Sequence, residues 1–542
     1  MKCVVNPLEL LVYYSIWTLT IIFGLFKLFE AQTDILSKNP HYIYSQGYIT
    51  PGWTFLNRNT DVSDVTWRCW LYFIRTSWFY LLVQFLISEI LRQCNMSIKY
   101  WNILSSIFLT SYCVGIKSLF TILIQPVMFY TVVVCGGKRI IIWIMAVLIL
   151  IYFISEYYND YLWHMYEDEK IETLNLCNFA NGWTALRCVS YCLDFIEKQE
   201  KVTESGDTNH KENKLQNFIN MQSYVLYYPV LLMGPIIMYR DFENSFLRKS
   251  QKLLPRIKRF AVDVIIYSIY TFLLELSFHF IYFNAMIRDE DGVELIKTLP
   301  SLELAAGGLW MSLTFYVKYV IIYGTASAFS RLDDKDSPPT PRCVLRIHVY
   351  SDMWRYFDVG LHKFLLEYIA KPCYSTLCKY TKLPQYVCRQ IASISPFALM
   401  GLWHGLTSEV LIWCALNYTG TLSECIATAL STTVWYKTFK AKVLKTEAME
   451  ARFIATLCCP LLLNSIISNL YFFGRLKVGH LYLGRLAWPA LHNFMLALVN
   501  LYSCCQVSMS LVDVPARSDQ QRLGLGDGSN CKNKKSFRSH KD

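Results

Sequence analysis

The chain has 542 residues, of which 54% are hydrophobic, 15% aromatic and only 17% charged. A soluble chain carries about 25% charge, and here the apolar excess comes in long blocks, which excludes a soluble multi-domain protein and points to a polytopic membrane protein. The net charge of +11 suits basic loops beside an anionic leaflet, since no basic, aromatic-interleaved groove for nucleic acid is visible.

The first apolar run, Leu10 to Phe26, lacks a small-residue cleavage site and reads as a retained signal-anchor helix. The polar loop from Ala31 to Thr66 is placed in the lumen, and Phe79 to Leu91 returns. Ile103 to Cys135 is interrupted by Lys117 and Pro126. It reads as two short membrane pieces or one re-entrant hairpin, tolerable only where protein covers the exposed backbone. Ile140 to Ser155 and Leu174 to Ile196 follow. Residues 1–196 form the N-terminal membrane helices, and 197–214 a charged, mobile linker.

The core is expected over residues 215–512. It opens with a membrane segment, Tyr224 to Met238, interrupted by Pro229 and Gly234-Pro235. Arg248, Lys249, Lys252, Arg256, Lys258 and Arg259 then form the densest basic run, which the positive-inside rule makes cytoplasmic. Phe260 to Ile287 spans to the acidic turn Asp289-Glu290-Asp291, and Leu304 to Phe329 spans back. The spacing pairs Glu275 with His279 one helical turn apart. Lys318 is expected either to snorkel or to approach a phosphate group.

After the stiff connector Ser337 to Pro341, Trp354, Asp358, Leu361, His362 and Leu365 fall on one helical face. A structural pair between Asp358 and His362 is the bland alternative to a reactive Asp358. Val387 to Leu402 leads to Trp403-His404-Gly405, where the glycine permits a break beside the histidine. Val410 to Thr433, Phe453 to Phe473 and Ala487 to Val512 complete the membrane part, and the basic tail 513–542 is expected to be disordered. The 19 cysteines include Cys458-Cys459 and Cys504-Cys505 but no C-x-x-C. A zinc site or disulfide framework is therefore not expected. No repeat of inverted halves is visible, which sets a transporter aside.

An ionisable group near mid-membrane costs about 2.5–3.5 kcal/mol even on lenient insertion scales, so Asp358 and His404 each need a partner or a task. The string from Trp354 through Asp358 to His362, the tripeptide Trp403-His404-Gly405 and Pro341-Arg342-Cys343 together resemble the membrane-bound O-acyltransferase family, hedgehog acyltransferase branch. Tyr227-Tyr228-Pro229-Val230, Gly234-Pro235-Ile236 and Phe315 to Tyr319 add to that resemblance, which runs from about Tyr224 and is weak before it.

The resemblance implies an all-α polytopic bundle of roughly 8–12 transmembrane helices with re-entrant segments, in the endoplasmic reticulum membrane or the Golgi. It implies His404 and Asp358 as catalytic residues, and Trp354, Arg355 and Trp403 as substrate-binding residues. It further implies palmitoyl-CoA as donor, the N-terminal cysteine amine of a secreted signalling protein as acceptor, and membrane lipids around the bundle. Hedgehog-type proteins are the first acceptors, with epidermal-growth-factor-type ligands as further ones. Cys343 is, by the same resemblance, an axial thiolate for haem b, although an isolated cysteine in a cysteine-rich chain is more often unliganded. Two alternatives stand beside this reading: O-acylation of a lipid or of a serine in a secreted peptide, and a catalytically silent regulator. Retention of His404 argues against the second.

Overall fold

The computed structural model describes residues 5–45, 47–165, 170–205, 213–344, 347–487 and 491–511. The expected class holds: the chain is an all-α polytopic membrane protein. Helix α1 (Pro7–Lys38) starts at Asn6, whose side chain accepts the Leu8 N–H, with proline in the first turn. A small antiparallel ribbon follows, β1 (Ile49–Pro51) on β2 (Asn59–Asp61). Helix α2 (Val65–Gln93) is capped by Asp64, which accepts from the Trp67 N–H. Next come α3 (Ile98–Val134), α4 (Arg139–Ile154), α5 (Ile171–Ser205) and α6 (Lys214–Val225).

Helix α3 is the hairpin anticipated between Ile103 and Cys135. Its backbone leaves helical geometry at Gly115 (φ 83, ψ 158), a conformation open to glycine. Both limbs return to α6. Lys99 donates to Asn220 at 2.7 Å, and the Tyr130 ring packs 5.1 Å from Phe218. The charged stretch from Glu197 is not a linker at its start, because α5 continues as helix to Ser205. Residues 206–212 and the tail 513–542 lie outside the described residues.

The expected span from Tyr224 to Met238 is corrected. Helix α6 ends at Val225, a single turn covers Tyr228–Leu231, and the chain then runs without helix to Met238. Every residue from 221 to 239 is buried. Pro229 and Gly234-Pro235 break the helix, and a broken backbone survives at membrane depth only when protein surrounds it.

Helices α7 (Leu253–Phe278) and α8 (Ser301–Leu332) pack antiparallel. At one end a buried ionic cluster ties them to α2. Arg256 pairs with Glu89 at 2.8 Å, and Arg92 meets both Glu89 and Asp333. Arg248 reaches Asp334 at 3.1 Å. Lys335 is buried here with its ammonium 3.4 Å from the Phe246 ring centre, and burial pushes it down to about 8. At the other end Asp289 caps the helix Glu290–Lys297. The basic run and the acidic turn therefore sit at opposite ends of α7, which at about 1.5 Å per residue is ample to cross a core about 30 Å thick. Glu275 and His279 do not pair side chain to side chain. The His279 Nδ1 faces the Glu275 carbonyl at 2.8 Å, its Nε2 accepts the Trp53 N–H at 3.0 Å, and the Glu275 carboxylate takes the Trp67 indole.

The remaining helices are α9 (Tyr350–Phe357), α10 (Val359–Leu365), α11 (Gln385–Trp403), α12 (Ser408–Ser431), α13 (Glu447–Ala487) and α14 (Leu491–Ser510). Helix α12 runs back along α11, with Tyr418 against Phe397. Helix α13 bends at Arg475 (φ 60). Among the described residues α1, α2, α3, α7, α8 and α13 are each long and apolar enough to cross a membrane.

The positive-inside rule puts the Arg248–Arg259 end in the cytoplasm. Single cysteines at Lys249 and Glu294, both exposed, should then label from opposite sides in sealed microsomes. A Lys249→Cys thiol is expected to react with an impermeant reagent directly, and a Glu294→Cys thiol after permeabilisation. Gly292 is unsuitable, since a Cβ there would meet the Met286 carbonyl at 2.1 Å. Equal labelling of both positions from outside would overturn the topology.

Candidate active site

His404 owes its position to the way α11 ends. The Leu406 N–H donates to the Gly401 carbonyl at 3.0 Å and the Gly405 N–H to the Leu402 carbonyl at 3.1 Å. Gly405 holds φ 97. This is a Schellman closure, with His404 as the helix cap and Gly405 in the left-handed position that glycine tolerates best. The Leu406 side chain lies against Gly401, the apolar contact that accompanies such a closure. The anticipated break beside the histidine is thus a specific C-terminal motif. The imidazole stands edge-on to Phe472 at 4.9 Å and to Trp413 at 5.7 Å. Its mobility is limited by these rings.

Asp358 is also at a helix end. The single face expected from Trp354 to Leu365 is interrupted, because α9 stops at Phe357 and Asp358 leaves helical geometry (φ −124, ψ 89). Its carboxylate then caps α10. Oδ1 accepts the Leu361 N–H at 2.9 Å and Oδ2 the Tyr323 hydroxyl at 2.9 Å. The His362 N–H bonds the Asp358 backbone carbonyl at 2.8 Å, so the contact between these residues is through the main chain. Gly360 permits the arrangement: a Cβ there would meet the Ile236 carbonyl oxygen at 2.2 Å. The first turn of α10 rests directly on the buried non-helical segment.

A cavity of about 550 Å³ reaches His404. One part of its wall is polar, with Asp64, Thr66, Asn284, Arg288, Thr314 and Lys318. Another is apolar and aromatic, with Leu150, Phe153, Ile154, Phe179, Leu402 and Trp403. Lys318 and Asp64 form an ion pair at 2.5 Å. Lys318 is therefore held by a carboxylate at the cap of α2, away from the Arg248–Arg259 end where a cytosolic phosphate would arrive. Tyr323 lines the cavity and Asp358 does not, so the Tyr323 phenol links that carboxylate to the cavity.

Of the other expected residues, Trp403 lines the cavity, its ring 5.4 Å from Trp183. Trp354 lies beside it in the seam between α9 and α12, 5.5 Å from Trp413. Arg355 is exposed and meets Asp352 at 3.5 Å. The structure does not bring Arg355 to the cavity. Tyr323, Asp64 and Arg288 were not singled out in the sequence. Asp64 had a readable signal, an acidic residue just before an apolar helix, but that signal reads as a helix cap, which it also is.

Cys343 is half-buried on the segment between α8 and α9. The neighbouring Arg342 guanidinium lies 3.7 Å from the Tyr356 ring centre. Among the described residues no group of three or more His, Cys, Asp or Glu side chains gathers to chelate a metal. The Arg342 guanidinium is engaged with Tyr356 and not shown at the thiol, so haem at Cys343 rests on the resemblance.

A model of the membrane-bound O-acyltransferase family matches residues 139–467, starting well before the Tyr224 limit expected of the resemblance. The protein-cysteine N-palmitoyltransferase Rasp of Drosophila melanogaster is 26% identical over 476 residues, covering 87% of this chain and 88% of the fly protein. The mouse protein-cysteine N-palmitoyltransferase HHAT is 29% identical over 327 residues, 59% of this chain and 62% of that one. The membrane-bound O-acyltransferase GUP2 of Saccharomyces cerevisiae is 22% identical over 492 residues, 78% of this chain and 74% of the yeast protein.

Tyr323→Phe removes one of the two described donors that hold the Asp358 carboxylate. Hydrogen bonds to charged groups contribute about 1.5–3 kcal/mol, so acyl-transfer turnover should fall about tenfold or more with KM little changed. Wild-type kcat in the folded variant would remove Tyr323 from the site.

Proposed function

The chain belongs to the membrane-bound O-acyltransferase family, and from that premise we propose that it transfers palmitate from palmitoyl-CoA to the N-terminal cysteine amine of a secreted signalling protein. The observation that carries the reading is His404, presented by a helix end to a cavity that is polar on one part of its wall and apolar on another. The fly and mouse relatives, named as protein-cysteine N-palmitoyltransferases, support the amine branch. The yeast relative keeps a second reading alive, O-acylation of a lipid or of a serine hydroxyl. Endoplasmic reticulum or Golgi membranes suit either.

The chemistry follows from the groups present. An α-amine has a pKa of about 7.7–8.0 and is mostly protonated at neutral pH. The ammonium first loses one proton to solvent; the neutral nitrogen then attacks the thioester carbonyl, and His404 Nδ1 or Nε2 is the base that takes its second proton. The C–N bond forms, the C–S bond breaks, and the proton held on His404 passes to the departing CoA thiolate. Asp358, held by the Leu361 N–H, acts through Tyr323, whose phenol lines the cavity and orients the acceptor or a bridging water. The polar wall at Asp64, Asn284 and Arg288 lies toward the acidic-turn end and receives the acceptor. The apolar wall takes the acyl chain. Trp403 bounds the site, and lipids surround the bundle. Helix α11 starts at Gln385 near the cytoplasmic end and rises about 1.5 Å per residue over 19 residues. His404 thus stands deep enough to meet substrates arriving from both sides.

His404→Ala should abolish transfer from labelled palmitoyl-CoA to a peptide beginning with cysteine, with the folded yield unchanged. Asp358→Asn should retain a small fraction of activity, since asparagine still caps α10. Parallel peptides beginning with serine or glycine separate the two readings: modification of serine alone selects O-acylation. Wild-type turnover of His404→Ala sinks the assignment.

Haem, if bound, would be held by Cys343. A bound haem would supply a redox-active, structurally bridging group at the cytoplasmic end. The expected outcome is a Soret band in purified protein that disappears or shifts in Cys343→Ala. A band unchanged by that substitution rejects Cys343 as the ligand.

A further inference from the structure

A second cavity, of about 420 Å³, shares no lining residue with the one that reaches His404. It lies between α5, the start of α6 and the short helix Tyr239–Leu247. That helix runs straight into Arg248, which pairs with Asp334, so the cavity stands at the Arg248–Arg259 end of the bundle. Three carboxylates (Asp194, Glu197, Glu243) and three cations (Lys198, Lys201, Arg240) line it, and its wall carries no net charge. Two of each are already matched. Asp194 accepts the Arg240 guanidinium at 3.5 Å and the Arg240 backbone N–H at 3.2 Å, and Lys201 pairs with Glu197 at 2.6 Å. Glu243 and Lys198 are left, on different helices, and neither has an ion-pair partner among the described residues. Their surroundings differ. Glu243 is half-buried and accepts the Tyr239 hydroxyl at 3.1 Å. The Tyr239 ring stands edge-on to Tyr191 at 4.6 Å, and Phe195 stacks on Tyr191 at 5.8 Å. All three rings line the cavity. A carboxylate beside aromatic rings is a seat for an ammonium group. Lys198 belongs to the exposed rim, where its own ammonium can meet a phosphate as a point charge.

We propose that this cavity binds the headgroup of a zwitterionic phospholipid, with Glu243 and the aromatic rings taking the ammonium and Lys198 the phosphate. A neutral wall with one unmatched charge of each sign fits a ligand that also carries one of each. An anionic headgroup would satisfy Lys198 and leave Glu243 facing a like charge. The same phosphate–ammonium chemistry occurs in soluble esters, and two features favour a lipid as its source. Exposed leucines stand on the lining elements, Leu215 of α6 at 66% and Leu247 of the short helix at 78%. The short helix also buries Tyr239, Phe242 and Ser245 while exposing Arg240 and Asn244. Such a helix, at the end of a membrane bundle, belongs in the interface plane where headgroups lie. The proposal does not depend on the acyl-transfer reading.

The test is headgroup selectivity of the purified full chain in a maltoside detergent, measured as Kd by titration calorimetry. Three probes are used: dihexanoyl-phosphatidylcholine, dihexanoyl-phosphatidylglycerol, and glycerophosphocholine, which has the headgroup without the chains. The choline lipid should bind about tenfold more tightly than the glycerol lipid. Glu243→Gln should weaken the choline lipid about tenfold, the scale of one charge-assisted hydrogen bond, and should not weaken the glycerol lipid. Glu243→Lys should reverse the preference, which a merely structural role for Glu243 does not predict. Lys198→Ala, at an exposed position, should weaken both lipids about threefold, since both carry the phosphate. Equal affinity for the two lipids overturns the proposal, and so does an unchanged affinity of Glu243→Gln for the choline lipid. Glycerophosphocholine binding as tightly as the lipid overturns a lipid as the occupant. Where the Glu243 variants fail to fold, the lipid comparison on the unsubstituted chain and the Lys198→Ala measurement still decide the point. Unselective binding, or no effect of Lys198→Ala, then rejects the site.

Discussion

The Arg187 guanidinium is the contact on which the rest of the bundle's interior depends. It is 1% exposed and donates to the Val225 carbonyl at 3.1 Å and to the Val230 carbonyl. Those carbonyls belong to the stretch where α6 ends and the chain runs non-helically to Met238. In a hydrocarbon environment each unsatisfied backbone group costs several kcal/mol, so such a stretch needs donors from neighbouring helices. Arg187 supplies several from one side chain. The Tyr224 hydroxyl donates to the Ile237 carbonyl at 2.6 Å, and Ser190 accepts the Tyr239 N–H at 2.9 Å. Helix α5 therefore acts as a rail of polar side chains for a segment that has no regular structure of its own.

The site is built on that segment. Gly360 touches the Ile236 carbonyl, which sets where α10 begins and so where the Asp358 carboxylate points. Ser190 also meets the Tyr368 hydroxyl at 3.0 Å, tying the continuation of α10 to the same rail. Asp358 and His404 both occupy helix ends. Asp358 sits at the start of α10, where N–H groups and the helix dipole favour a negative charge. His404 sits at the end of α11, where the terminal carbonyls are polar. A helix terminus has backbone groups to be satisfied and breaks the apolar surface. Placing acid–base groups there uses polarity that the fold must in any case accommodate.

Much of this was legible in the sequence, for identifiable reasons. Trp403-His404-Gly405 predicted a break because glycine follows the histidine directly, and the basic and acidic runs flanking α7 fixed its ends. The hairpin of α3 was foreshadowed by the interruptions at Lys117 and Pro126, and the turn falls at Gly115, beside the first of them. The reading of Tyr224 to Met238 as a span failed because a fully buried irregular segment has the same composition as a membrane helix. The periodicity from Trp354 to Leu365 failed at the residue of interest, since a carboxylate that caps its own helix must stand outside it. Glu275 and His279 satisfied the spacing rule but found better partners in the loop after α1 and in Trp67. Tyr323 gave no signal at all, being one aromatic among many on α8. Only the fold brings it to Asp358.

The Lys318–Asp64 pair shows what the polar side of the cavity does for the rest. Their side chains are 9% and 16% exposed, and a buried ion pair of this kind adds little net stability, because desolvation offsets most of the attraction. Its value is positional. Asp64 uses one oxygen to cap α2 and the other to hold Lys318 of α8, so two helices that bound the cavity are locked at a common point. Removing either partner would leave a charge buried alone, which costs about 3–5 kcal/mol, and the arrangement is therefore hard to lose once formed. The pair thus fixes the polar side of a cavity that also reaches His404.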